Sequence, residues 1–292
     1  PAPWTKNKYL RKYKFTNVYR ELDRGSQWAI EHIIRPMRND IVLTLQAADS
    51  NTGDQKKIWL RSVRTLEKEL FWQLFVYRMI NRWETFAAIG FPSYQHWDRA
   101  SYMRDLYAYG RNGKRPIFSS AYITCQCSKK QDRVHNFCDM ADDMHTKLPG
   151  LYKLLRTKPT LQVFCKALTK VFGIAGFTAF QISLDLVYAG LLPDTRDEWA
   201  DPGPGCRAGL GFIFPEIKSA QYQEGMKLLW SMQGSQLPAD FPYHNCPIQH
   251  HTNHICLSDI ENCLCEFAKY WKLRQGKGRA RIIFVPSPPL AH

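Results

Sequence analysis

Apolar residues along this chain recur mostly at intervals of three and four, the period of helices that bury one face. The clearest run is 58–82, where Leu66, Leu70 and Leu74 fall four apart with Phe71, Phe75 and Tyr77 alongside. Upstream, Thr16 or Asn17 can cap a long helix reaching about Met37, with Val18, Leu22, Ile30, Ile33 and Ile34 as its apolar positions. Residues 39–55 read as an irregular loop with a turn at Asn51-Thr-Gly-Asp54. Further helices are predicted over about 94–109, 118–124, 132–145, 150–156, 159–170 and 177–189, with a loop at Gly110-Arg-Asn-Gly-Lys-Arg-Pro116. Residues 190–210 are rich in Gly and Pro and read as the main irregular segment, of the kind that often carries function. Helix resumes over 217–232 and again over 258–274, with a connector bearing Cys and His between them and a basic Gly276-Lys-Gly-Arg-Ala-Arg281 tail behind. There is no internal repeat and little strand. The predicted class is mainly α.

Composition narrows the partners. The chain has 292 residues and a formal charge of +14, with a pI near 9.4. Basic residues are spread along it and interleaved with aromatics, which indicates a polyanionic partner, with DNA preferred over an anionic membrane. No apolar run approaches the ~18 residues of a membrane span. No signal peptide is read, and the nine cysteines are odd in number. The expectation is an intracellular, reduced protein: nuclear if eukaryotic, in the host cytoplasm if phage.

DNA is also suggested by Lys170-Val-Phe-Gly-Ile-Ala-Gly-Phe-Thr-Ala-Phe-Gln-Ile-Ser-Leu-Asp-Leu186. A helix, a turn from Gly173 to Gly176 and a second helix with Ala179, Ile182 and Leu186 at helical spacing make a helix-hairpin-helix pattern. The N–H groups of Gly173, Gly176 and Thr178 would face a DNA phosphate at that helix start. The pattern is imperfect, since Ala175 stands where a second glycine is usual. In helix-hairpin-helix DNA glycosylases a catalytic Asp follows the hairpin at about the distance of Asp194 and Asp197, while Phe177 stands where bifunctional enzymes carry a Schiff-base lysine. Asp194-Thr-Arg-Asp197-Glu198 reads equally as a solvated acidic loop.

Other chemistry is weaker. The nucleotide-binding pattern G-x-x-x-x-G-K-[ST] is absent, because Lys114 is followed by Arg115. Cys246, His250, His251, His254, Cys256, Cys263 and Cys265 form a dense group, and His251, His254 and Cys256 are the candidate zinc ligands, although paired C-x2-C spacing is missing. Ordinary buried thiols and polar histidines are the favoured reading of the group, with metal the weaker one. Arg20, Asp23, Arg24 and Gln27 fall at i, i+3, i+4 and i+7, one face of the first predicted helix; Glu261 and Lys269 decorate the last.

Five ordered segments together resemble one family. They are Phe15-Thr-Asn-Val-Tyr-Arg-Glu-Leu-Asp-Arg-Gly-Ser-Gln27; Leu74-Phe-Val-Tyr-Arg-Met-Ile-Asn-Arg-Trp-Glu-Thr85; Pro116-Ile-Phe-Ser-Ser-Ala-Tyr122; Asp185-Leu-Val-Tyr188 with Gly203-Pro-Gly-Cys-Arg-Ala-Gly-Leu210; and Ser258-Asp-Ile-Glu-Asn-Cys-Leu-Cys-Glu-Phe-Ala-Lys-Tyr270. The set is similar to the helical domain of 5-hydroxymethyluracil DNA kinases, which also makes up the α-glutamyl/putrescinyl-thymine pyrophosphorylases, or amino acid:DNA transferases. It covers about 13–285, read as a single helical domain divisible into 13–157 and 158–285, with flexible tails at 1–12 and 286–292. The resemblance implies a helical, DNA-glycosylase-like fold acting on a modified thymine in double-stranded DNA. Without the nucleotide-binding pattern, the transferase branch or a stand-alone helical domain fits rather than the kinase; in the transferase, pyrophosphate on an activated hydroxymethyluracil is displaced by an amino acid or polyamine.

Under that resemblance, Arg20, Arg24 and Arg207 are candidates to hold the leaving pyrophosphate, and Asp23, Asp185 and Glu261 to receive the amine or its proton. Asn17, Gln27, Lys269 and the Gly203-Pro-Gly205 loop are candidates for nucleotide contact. Asn17 and Asp185 read equally as helix caps, and Gly203 and Gly205 as turns. A glycosylase that excises the base and a non-catalytic reader of modified DNA are the alternatives.

Overall fold

The computed structural model describes residues 6–16, 18–113, 115–120, 124–238, 241 and 254–278. The described residues are mainly helical and contain no strand. None of their helices is long and apolar enough to cross a membrane. The chain divides into two compact units. A central unit comprises 24–195 with 247–250; a terminal unit joins 1–23, 196–246 and 251–292.

The central unit opens with α2 (Arg24–Ala29), a π-helical turn (Ile30–Ile34) and α3 (Arg35–Asp49), α1 lying in the other unit. The π turn has a local cause. Pro36 sits in the first turn of α3, and its ring would clash with the carbonyl four residues back in a regular helix. The Arg35 N–H instead reaches back five residues to Ile30. The loop expected at 39–55 is helical to Asp49; Ile41 and Ala48, seven residues apart, are buried where α3 packs on α4. The turn survives only at 50–52.

The long helix α4 (Gly53–Ile80) carries the core: Leu70, Phe71, Leu74, Phe75, Val76 and Ile80 are fully buried. Asn81 ends it in the left-handed region at φ 49°, a conformation Asn tolerates. Then follow α5 (Trp83–Ile89), α6 (Arg99–Gly113), α7 (Arg133–Leu155), α8 (Leu161–Leu168) and α9 (Gly176–Tyr188). The two helices expected over 132–156 are one, because Pro149 is accommodated inside α7. The described part of 118–124 is not helical; Ser119 donates instead to the Ile80 carbonyl at 3.0 Å. Every residue from Ala179 to Tyr188 is buried, so α9 is a core helix rather than a surface one.

The terminal unit holds α1 (Lys8–Lys12), a 3-10 turn at Arg20–Leu22, α10 (Pro204–Ile213), α11 (Tyr222–Ser231), α12 (Gln233–Gln236) and α13 (Leu257–Arg274). Within the expected N-terminal tail, Asn7 caps α1 and its amide donates to Tyr270 Oη at 2.9 Å. α10 begins inside the segment read as irregular. Pro204 occupies its first turn, where a missing N–H costs nothing, so the Gly-Pro signal marks a helix start. α10 and α13 pack closely through Gly205 and Gly209, four apart on one face. A Cβ at Gly209 would lie 2.3 Å from the Leu264 carbonyl oxygen, and one at Gly205 2.0 Å from Cys265 Sγ. These glycines are small because two backbones approach there.

Candidate functional site

The terminal unit buries a charged cluster. The 3-10 turn places Arg20 and Glu21 inside, and the first turns of α13 place Asp259 and Glu261 there; Arg196 is buried too. Arg20 Nη2 donates to Glu261 Oε2 at 2.7 Å, and the Arg20 N–H to Asp259 Oδ1 at 3.3 Å. The Gly203 N–H, ahead of α10, donates to Glu261 Oε1 at 3.3 Å. Asn262 anchors the same turn to the Val18 carbonyl at 3.5 Å. Three of the five sequence segments, those beginning at Phe15, Gly203 and Ser258, therefore meet at one place.

Arg20 and Arg196 face the Glu21, Asp259 and Glu261 carboxylates in this cluster, and Asp201 adds a further negative charge near Glu261. Burial, reinforced by the Glu21 carboxylate, raises Asp259 from 3.8 to about 7, against the pull of Arg196 and Arg20. Burial also raises Glu261, against Arg20 and the Gly203 N–H. Asp201 is raised by burial as well. Burial also pushes the neighbouring thiols up, Cys263 to about 12 and Cys265 to about 11, which disfavours their thiolates. Glu21, Arg196 and Asp259 were not singled out from sequence. The only signal was their place beside predicted site residues, since a buried charge looks like a surface one in sequence.

The remaining sequence-predicted residues fall as follows. Asp185 is fully buried in the central unit and takes both arms of Arg78 at 2.5 Å, with Arg78 also donating to Ser26 Oγ at 3.1 Å. That is a fork-to-fork ion pair within the core. Arg24 and Gln27 are exposed on α2, whereas Asp23 is extended at ψ 138° after the 3-10 turn. The helical face expected from Arg20 to Gln27 is therefore interrupted at Asp23. Asp194 is exposed in the central unit; Asp197, in the terminal unit, bonds His254 Nε2 at 2.7 Å. Cys256 joins that pair, and the ligand atoms of Asp197, His254 and Cys256 lie within 4.8 Å of one another. Asn17, Cys246, His250 and His251 lie outside the described residues.

At the α8–α9 turn, Gly173 has φ +73°, and a Cβ there would lie 2.8 Å from Met140 Cγ. The turn is tied to α7: Asp143 accepts from the Phe172 N–H at 2.6 Å, and Lys147 donates to the Lys170 carbonyl at 2.7 Å. Gly176 and Thr178 occupy the first turn of α9, partly exposed. A carboxylate thus already faces part of the turn proposed for phosphate.

Two pockets among the described residues are lined by basic side chains. One of about 410 Å³ in the central unit is lined by Tyr107, Arg111, Arg115, Phe118 and Arg133, with the Arg133 guanidinium 4.2 Å from the Phe118 ring centre. The other, about 270 Å³, lies in the terminal unit beside Gly205, Lys269 and Lys272. Arg207 is exposed; its Nε donates to the Pro202 carbonyl at 2.6 Å. Lys269 donates to Glu266 at 3.1 Å and lies over the Phe15 ring.

Residues 1–42 and 48–279 match the family described as the helical domain of 5-hmdU DNA kinase. The chain belongs to that helical-domain family. The resemblance read from the five ordered segments is thereby the family found. A relative named 5-hmdU DNA kinase, from Bacillus phage SP10, is 24% identical over 293 residues, covering 92% of this chain and 41% of the relative. This helical-domain protein thus spans about two fifths of that kinase's length. No solved structure matches it.

Proposed function

We propose that this helical domain binds double-stranded DNA, takes a 5-hydroxymethyluracil-derived base out of the stack, and replaces pyrophosphate on that base with an amino acid or polyamine. The family and the +14 charge support DNA carrying a modified thymine as substrate. The observation that carries the chemical step is the buried cluster of Arg20, Arg196, Glu21, Asp259 and Glu261, in which burial pushes the Asp259 carboxyl up to about 7. In the proposed step the C5-methylene–oxygen bond breaks and pyrophosphate leaves with the electron pair. The amine nitrogen bonds the electron-poor methylene and gives up a proton. A carboxylate system titrating near 7 is matched to take that proton. Arg20 is committed to Glu261, so the leaving pyrophosphate falls to the exposed or half-exposed Arg207, Lys269 and Lys272. The glycosylase-like reading of the fold rests on the α8–α9 hairpin and enters here as part of the proposal.

Binding of the full chain to duplexes carrying thymine, hydroxymethyluracil or its pyrophosphate ester tests the substrate claim. The expected result is at least about tenfold preference for the modified duplexes, with affinity falling steeply as salt rises. Equal affinity for all three, or salt-insensitive binding, would refute it.

A further inference from the structure

We propose that Asp197, His254 and Cys256 form a zinc site in the terminal unit, ordering the cluster without taking part in its chemistry. The three residues offer a carboxylate oxygen, an imidazole nitrogen and a sulfur, all within 4.8 Å of one another. Among the described residues they are the one such group.

The donor set selects the ion. Magnesium and calcium favour oxygen-only shells, whereas mixed N, O and S donors suit zinc. In a tetrahedral shell with metal–ligand bonds of about 2.0–2.3 Å, ligand atoms sit roughly 3.3–3.7 Å apart. The observed spread runs from 2.7 Å between His254 and Asp197 up to the 4.8 Å limit. Shifts of about 1 Å at side-chain tips convert one arrangement to the other.

The surroundings support a cation. Asp197 Oδ1 is out of contact with solvent and has no hydrogen-bond partner among the described residues. A desolvated carboxylate oxygen with no donor is costly, and a metal ion would satisfy it. Cys256 is 3% exposed and caps α13, whose positive end favours an anionic ligand. The backbone between the two C-terminal ligands is preset: Gln233 accepts from the Ile255 N–H at 2.7 Å and donates to the Ile255 carbonyl at 3.3 Å. The His254 ring meets Trp230 edge-on at 5.8 Å. The side chains of His254 and Asp197 remain 34% and 39% exposed, which leaves room for water as a fourth ligand.

Asp197 adjoins Arg196, and Cys256 precedes Asp259 by three residues, so zinc would fix both sides of the buried cluster. That is a positioning role.

The test uses full-length chain purified without a metal-affinity tag. Zinc content is measured by mass spectrometry, and the metal-free chain is titrated with cobalt(II) as a zinc surrogate. About one zinc per chain is expected, with a thiolate-to-cobalt charge-transfer band and tetrahedral d–d bands. Cys256→Ser should abolish the charge-transfer band, and Asp197→Asn should weaken zinc at least about tenfold. Cys263→Ser should change neither. X-ray absorption of the zinc-loaded native chain needs no variant, and should show one sulfur among nitrogen and oxygen neighbours. A native chain without zinc and without a cobalt band overturns the proposal. So does a zinc shell lacking sulfur, or a Cys256→Ser protein that keeps the cobalt charge-transfer band.

Discussion

Replacing Asp259 by Asn isolates the proton that the buried cluster holds. Asn keeps the oxygen that accepts from the Arg20 N–H and cannot ionise. In the native chain the carboxyl is raised from 3.8 to about 7, about 3 pH units, which corresponds to roughly 4 kcal/mol at 1.36 kcal/mol per unit. The sign follows from proton counting. Between those values the folded chain keeps a proton that the unfolded chain has lost, so stability falls as pH rises through the window. The native protein should lose roughly 1 kcal/mol per pH unit from this group near the middle of the window, and the Asn variant should lack that slope. The stability difference between the two should therefore change by roughly 2 kcal/mol between pH 4.5 and 6.5, in favour of Asn at the higher pH. Urea unfolding followed by circular dichroism across that range measures it. Parallel pH profiles for the two proteins would refute the buried, proton-holding carboxylate.

Four further outcomes are expected. Asp185→Asn strands Arg78 in the core and should cost about 3–5 kcal/mol in urea unfolding, because a buried charge then lacks its partner. Gly209→Ala pushes a methyl against the Leu264 carbonyl oxygen, a backbone atom that cannot step aside, and should lower stability by about 1–3 kcal/mol. Gly173→Ala, at φ +73° and against Met140, should lose about 1–2 kcal/mol; an unchanged melting temperature would show that the turn relaxes. Arg111→Glu and Arg133→Glu, in the 410 Å³ pocket, should weaken binding to all duplexes and reduce the salt slope by about 1 for each phosphate that the protein no longer neutralises.

Helix periodicity carried most of the fold. Leu66, Leu70 and Leu74 marked α4, and Ala179, Ile182 and Leu186 marked α9, because each set falls on one helical face. The errors came from residues with two meanings. Pro204 signalled a loop and starts a helix; Ile41 and Ala48 sat in a run whose exposed Val42, Leu43 and Leu45 put apolar residues on the solvent side as well and blur the helical period. Pro36 gave no hint in the pattern that it would force a π turn. At the site, Arg20 and Glu261 were named from separate segments, but their 2.7 Å contact spans 241 residues and is invisible to local spacing. Asp185 looked like a candidate acid and is the core partner of Arg78, since sequence shows a charge without its burial. Glu21 and Arg196 went unnamed for the same reason.

The fate of the modified base separates a transferase from a glycosylase or a reader. Nucleosides released from DNA after incubation with the full chain and mixed amino acids and polyamines can be identified by mass spectrometry. The duplexes would carry thymine, hydroxymethyluracil or its pyrophosphate ester. A heavier thymidine derivative is predicted from the pyrophosphate ester alone, with pyrophosphate released and the product lost in Asp259→Asn. Free base and abasic sites, or unaltered nucleosides beside tight selective binding, would contradict it and indicate a glycosylase or a reader.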